Sequence, residues 1–302
     1  MSKRAFAGVY PMIYAFFGPD GALDRDAMRR QVEYCVANGA HGVAALGLGT
    51  EVSKLSPEER LSVMAWAAED LAGRKPLAVT VFGATPEEQI TFVRAAAELG
   101  CDWVILQPPQ TGEKITEDKL VDFFGAVADA SPLPVAIQNA PQYIGVGLTS
   151  HGLDRLSRNH PNVCLLKAEG SAVETQALIA LTEGRMAVFQ GRGGSEFIDV
   201  MRAGCVGMIP SVESCHLQAR LFDLLQTGRA DDEAQAESLY AELAPLIMFL
   251  MQSVDQFLCY GKRLTSRRIG LGEVYDRKPA QAPTPFGLDC LARHAKVLDR
   301  LA

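Results

Sequence analysis

Lys167 ends the apolar run Val163-Cys164-Leu165-Leu166 and is followed at once by Ala168-Glu169-Gly170. A run of that kind reads as a buried parallel strand, which puts the lysine at the strand's carboxyl end. An ammonium there loses hydration, a loss that favours the neutral amine, and a neutral amine attacks a ketone carbonyl. Schiff-base chemistry requires such a group. The same residues also fit a lysine that snorkels to solvent or pairs with Glu169. Glu169 lies two residues on, hence on the same side of an extended chain, and Glu196 follows the glycine-rich stretch Gly191-Arg192-Gly193-Gly194-Ser195. Either acid could move protons or hold substrate hydroxyls. Their plain readings are an ion pair for Glu169 and a first-turn helix carboxylate for Glu196.

Placing these groups requires about eight strands, and the sequence supplies them. Short apolar runs recur at Gly8 to Tyr14, Gly42 to Leu46, Leu77 to Phe82, Trp103 to Leu106, Val135 to Gln138, Cys164 to Lys167, Ala187 to Gln190 and Gly207 to Pro210. Segments with helical spacing lie between them, and Ser56-Pro57-Glu58-Glu59 and Thr85-Pro86-Glu87-Glu88 are helix starts with an N-cap, proline and acids. Repeated βα units of this number predict an α/β TIM (β/α)8 barrel over residues 1–212. His216 to Leu225, Ala230 to Met251 and Gly287 to Leu301 read as helices without strands, a C-terminal helical extension over 213–302. A doubly wound open sheet would need a glycine-rich turn after the first strand, and Pro11 to Phe17 offers none.

In a barrel the carboxyl ends of the strands carry the site. That rule brings Gly47-Leu48-Gly49-Thr50-Glu51, Gln138-Asn139, Lys167 to Glu169 and Gly191 to Glu196 to one cavity. The glycines in the second and seventh loops would let backbone N–H groups approach a ligand carboxylate, although turns needing positive φ explain them equally. The net charge of −7 argues against nucleic acid as a partner. Five scattered histidines form no metal-ligand pair and no Cys-x-x-Cys occurs, so no metal is expected. No Walker A loop or Gly-x-Ser-x-Gly elbow is present. Met1 to Gly8 has no apolar leader core, no run is long enough to span a membrane, and seven single cysteines suggest a reducing compartment; a cytoplasmic protein is expected.

From Gly8 to beyond Ser211 the chain resembles the dihydrodipicolinate synthase and N-acetylneuraminate lyase superfamily of class I aldolase barrels. The resemblance rests on Gly8-Val9-Tyr10-Pro11-Met12, on Gly47 to Glu51 followed by Leu55-Ser56-Pro57-Glu58-Glu59-Arg60, on Lys167, and on Gly204 to Ser211. It implies that Lys167 is the Schiff-base nucleophile, that no cofactor is used, that the substrate is a small 2-keto acid, and that the chain forms a homo-oligomer, a tetramer.

Departures from the family pattern narrow the activity that the resemblance implies. Gln138-Asn139-Ala140-Pro141 stands where the family has Tyr-Asn-x-Pro, so the proton-relaying tyrosine is an amide here. Leu48 and Gly49 replace two threonines, Tyr143 replaces an arginine, and the fourth loop reads Pro108-Pro109-Gln110. This combination resembles the L-2-keto-3-deoxyarabonate dehydratases. In that branch Glu169 and Glu196 would share the proton transfers, and the N–H groups of Gly49, Thr50 and Glu51 would bracket the C1 carboxylate. Gln138, Asn139, Gly191, Gly193 and Ser195 would contact substrate. Two other readings stay open: a retro-aldolase releasing pyruvate, and a catalytically silent keto-acid binder.

Overall fold

Each apolar run is buried on both faces, one against helices and one inside the barrel, so the strands pair in parallel and the sheet curls shut. The computed structural model describes residues 6–110 and 115–301. Met1 to Ala5 of the N-terminal stretch, Thr111 to Lys114 and Ala302 lie outside the described residues. The strands are β1 (Gly8–Val9), β2 (Val43–Ala45), β3 (Leu77–Val81), β4 (Trp103–Leu106), β5 (Val135–Asn139), β6 (Val163–Ala168), β7 (Ala187–Gln190) and β8 (Gly207–Met208). All pair in parallel in the order β1-β8-β7-β6-β5-β4-β3-β2. Met12 closes the ring by bridging both Ala44 and Ser211, helped by the Ala44 N–H donating to the Pro11 carbonyl at 3.0 Å. The expected TIM barrel is the fold observed.

Side chains fill the barrel. Tyr10, Trp103 and Phe189 meet edge-on or stacked at centroid distances of 5.2–5.6 Å, and the small residues Ala44, Ala78 and Ala136 leave room for them. Above this plug the register places Gln138 opposite Lys167, and Lys167 opposite Phe189, so the lysine points inward in the uppermost layer.

The outer helices are α1 (Arg25–Ala37), α2 (Pro57–Leu71), α3 (Pro86–Glu98), α4 (Glu117–Ala130), the short α5 (Pro141–Ile144), α6 (Ser150–Asn159), α7 (Ala172–Thr182), α8 (Phe197–Arg202) and α9 (Cys215–Gln226). Ser56 and Ser171 form reciprocal capping boxes with Glu59 and Glu174, which fixes where α2 and α7 leave the carboxyl ends of their strands. α9 packs on β1 and completes the eighth βα unit. The extension therefore begins with α10 (Ala230–Leu250), not at residue 213 as the sequence suggested.

Beyond α10 come α11 (Val254–Gln256), a π turn at Phe257–Gly261, α12 (Lys262–Arg268) and α13 (Pro285–Leu301). The stretch 254–268 was not foreseen as helical. A π turn breaks the 3.6-residue period, and Gly261 inside it is a poor helix former. Gly261 is there for space: a Cβ would sit 2.1 Å from the Tyr14 hydroxyl. That hydroxyl donates to buried Glu213 at 3.1 Å, and Thr265 of α12 donates to the same carboxylate at 3.3 Å. Burial raises the pKa of Glu213 and pushes Tyr14 well up, so the phenol keeps its proton and remains a donor. Glu213 thus ties the loops after β1 and β8 to the extension. Among the described residues no single helix is long and apolar enough to cross a membrane.

His216, the second residue of α9, faces Tyr34 of α1 and is held down to about 4 by burial and by the nearby Arg268 charge, against an ordinary 6.5. Between these values the unfolded chain takes the proton and the folded one does not. Stability should therefore fall as pH drops from 6.5 toward 4, and His216→Gln should make that fall shallower. Urea midpoints across this range measure both slopes, and identical slopes would exclude His216 as a source.

Candidate active site

β6 delivers Lys167 and, through one intervening residue, Glu169. The two side chains are 8% and 4% exposed, and Lys167 Nζ donates directly to Glu169 Oε1. The other carboxylate oxygen accepts the Arg192 backbone N–H at 2.7 Å. Gly191 makes this approach possible, since a Cβ there would lie 2.3 Å from Glu169 Oε1. Its role is to admit the carboxylate rather than to contact a ligand. Gln142 Nε2 holds the Glu169 carbonyl at 2.6 Å, so backbone and side chain are both fixed. Attack by the lysine requires an ammonium proton to leave, and Glu169 is the acceptor in contact.

A small cavity of about 50 Å³ opens over this pair, lined by Tyr143, Arg192 and Gly193 and by the apolar Met12, Leu48, Met251, Val254 and Phe257. Burial raises the pKa of Tyr143, with the Glu169 charge adding to it, so its hydroxyl stays protonated beside Arg192. The lining is mostly apolar, and protons can move only at its polar groups, Lys167, Glu169, Tyr143 and Arg192.

The loop after β2 supplies donors, though not those expected. Thr50 N–H and Glu51 N–H turn back to the carbonyls of Gly47 and Leu48, each at 3.0 Å. Among the described residues the N–H groups of Leu48 and Gly49 donate to nothing, and both residues line the cavity. The N–H groups left available in this turn are therefore those of Leu48 and Gly49, not of Thr50 and Glu51. Thr50 builds the turn instead, accepting the Leu46 N–H at 2.9 Å and donating to the Ile13 carbonyl at 2.5 Å. Glu51 points away into a buried ionic cluster, bonded to Lys262 at 2.8 Å and Lys54 at 2.5 Å.

Four further residues lie outside the lining of this cavity. Glu196 lies outside the cavity lining, adopts a left-handed backbone (φ 54°) and grips Arg192 Nη1 at 2.7 Å. Ser195 donates to the Arg192 carbonyl at 2.8 Å, bracing the same loop. Asn139 turns outward and clamps both backbone groups of Leu148. Gln138 points into the barrel and accepts from Gln107 at 2.9 Å. Gly193 lines the cavity. Residue types in a loop do not reveal which way each side chain turns.

Sequence reasoning missed Arg192, Phe257 and Lys262. Arg192 was visible between two glycines, but a loop arginine ordinarily reads as a solvated charge. Lys262 is 211 positions from Glu51 and carries no local signal. It is fully buried, bonded to Glu51, 3.3 Å from Asp276 and 5.0 Å from the Phe17 ring centroid. Through Lys262, α12 anchors the turn whose N–H groups face the cavity.

An eight-stranded parallel barrel whose sixth strand presents a buried lysine in contact with the carboxylate just beyond it has the groups that a Schiff-base lyase uses. Residues 5–282 match the model of the dihydrodipicolinate synthetase family, and the chain belongs to that family. It is 32% identical over 226 residues to the 4-hydroxy-tetrahydrodipicolinate synthase of Halorhodospira halophila, covering 74% of each chain. With the enzyme of that name from Xanthomonas axonopodis pv. citri it shares 33% over 243 residues, 79% of each. The crystal structure of the chloride-inhibited dihydrodipicolinate synthase from Acinetobacter baumannii, complexed with pyruvate, superposes with a TM-score of 0.86 at 26% identity, over 97% of this chain and 98% of that one.

Lys262→Met would leave Glu51 with Lys54 and Asp276 with Arg263, so the buried cluster would keep two anions against two cations but lose its most buried contact. The change should cost about 1–3 kcal/mol of stability, read from urea unfolding, and no measurable loss would contradict a bracing role for Lys262.

Proposed function

We propose that this chain dehydrates a 2-keto-3-deoxy sugar acid, with L-2-keto-3-deoxyarabonate as substrate and 2-oxoglutarate semialdehyde as product. The observation that carries this reading is the direct Lys167 to Glu169 contact beside an amide, Gln138, where the family has its tyrosine. Proton traffic at the lysine then falls to Glu169.

Lys167 Nζ attacks the C2 carbonyl, and loss of water gives an iminium at C2. The iminium acidifies C3, from which Glu169 takes a proton to form an enamine. The enamine expels the C4 hydroxyl as water, with a proton returned by Glu169 or donated by Tyr143. Loss of a C5 proton and tautomerisation place the aldehyde at C5, and hydrolysis frees the lysine. Overall one water leaves and no oxidant is needed. The C1 carboxylate meets the Leu48 and Gly49 N–H groups. Glu196 acts through Arg192, and a substrate oxygen that binds this guanidinium competes with Glu196 for it and frees the carboxylate to join the proton transfers.

The reading includes a homotetramer with no cofactor, acting in the cytoplasm. Exposed Phe286, Val173 and Met248, on α13, α7 and α10, favour surfaces covered by other copies.

Lys167→Ala should abolish both turnover and borohydride trapping while circular dichroism stays unchanged; an adduct in that variant sinks the assignment. Glu169→Gln should lower kcat by about 10² to 10⁴ and still trap substrate. Pyruvate rather than semialdehyde as the product would replace dehydration with aldol cleavage.

A further inference from the structure

Gln107 follows β4 and Gln138 lies on β5, and the register carries them to one level: Ile105 faces Ala136, so two residues on Gln107 faces Gln138, which itself faces Lys167. Adjacent strands are about 4.8 Å apart, so the two amides stand one and two strands from the lysine in the uppermost layer. Both residues are buried, at 0% and 1% exposure. Gln107 Nε2 donates to Gln138 Oε1 at 2.9 Å, and the backbone carbonyl of Gln107 is fixed by Gln89 at 2.9 Å. Among the described residues Gln107 Oε1 and Gln138 Nε2 have no partner. Thr80 Oγ1, on β3, is likewise buried and unpaired.

A buried polar atom without a partner is costly, and here an acceptor and a donor are left on two amides already bonded to each other. Swapping O and N on both amides changes nothing essential, because the pair still leaves one amide nitrogen and one carbonyl oxygen unpartnered. A carboxylate or phosphate would be repelled by the carbonyl oxygen, and an ammonium by the N–H groups. An alcohol oxygen both accepts and donates, and so satisfies the two together. Gln107 also lines a second chamber that shares Leu48 and Val254 with the Lys167 cavity.

We propose that the Gln107–Gln138 amide pair is a subsite for one neutral hydroxylic oxygen beside the Schiff-base carbon chain, selecting hydroxylated 2-oxo acids over deoxy or phosphorylated ones. The inference rests on the keto-acid reading of Lys167 but not on dehydration. The oxygen comes from the substrate or from an ordered water held against it.

Borohydride trapping measured against concentration tests this, using 2-oxopentanoate and its 4-hydroxy and 5-hydroxy counterparts on the wild type, Gln138→Leu and Gln107→Leu. The wild type should trap at least one hydroxylated compound at a concentration lower by on the order of tenfold or more, and both variants should lose that preference. If the variants weaken trapping of all three compounds alike, with circular dichroism unchanged, the oxygen is the water and the subsite stands. A preference that survives both substitutions, or equal trapping of all compounds by all three proteins, overturns the proposal. Absence of any adduct in the wild type would instead remove the keto-acid reading itself.

Discussion

The site depends on keeping an ammonium and a carboxylate together where water is nearly excluded. Desolvating two ions costs several kcal/mol each, and mutual attraction offsets this only when the remaining hydrogen-bonding capacity is filled. Here Glu169 spends one oxygen on Lys167 and the other on the Arg192 N–H, while Gly191 removes the side chain that would keep them apart. The left-handed backbone at Arg192, Gly193 and Glu196 sets that N–H in place. The strained loop after β7 is therefore part of the lysine's environment.

A second layer of constraint comes from the C-terminal extension. α12 reaches the barrel mouth through Lys262 at Glu51 and through Thr265 at Glu213, and the π turn just before it brings Phe257 over the cavity. The free N–H groups of Leu48 and Gly49 are thus held by contacts that run through the extension. The turn that carries them belongs to the barrel, and the brace for that turn belongs to the tail.

Much of the fold was legible in the sequence because buried parallel strands are continuous apolar runs and capped helices have recognisable starts. Lys167 was legible for the same reason, as a charge ending such a run. Orientation was not. Glu196 and Glu169 are both glutamates after a strand, yet one grips an arginine outside the cavity and the other the lysine inside it. Thr50 and Glu51 sit in the predicted loop, but their N–H groups close the turn, leaving those of the two preceding residues, which line the cavity, unbonded. Lys262 was invisible because its partners come from the other end of the chain, and the π turn before it erased the helical period.

The central claim is that Lys167 carries the substrate covalently and that the reaction on it is loss of water. Mass spectrometry of wild-type protein incubated with 2-keto-3-deoxy-L-arabonate and borohydride, with peptide mapping and product analysis of an untreated portion, tests both parts at once. The account predicts a reduced adduct on Lys167 together with 2-oxoglutarate semialdehyde. An adduct on another residue, or turnover with no adduct, would contradict it.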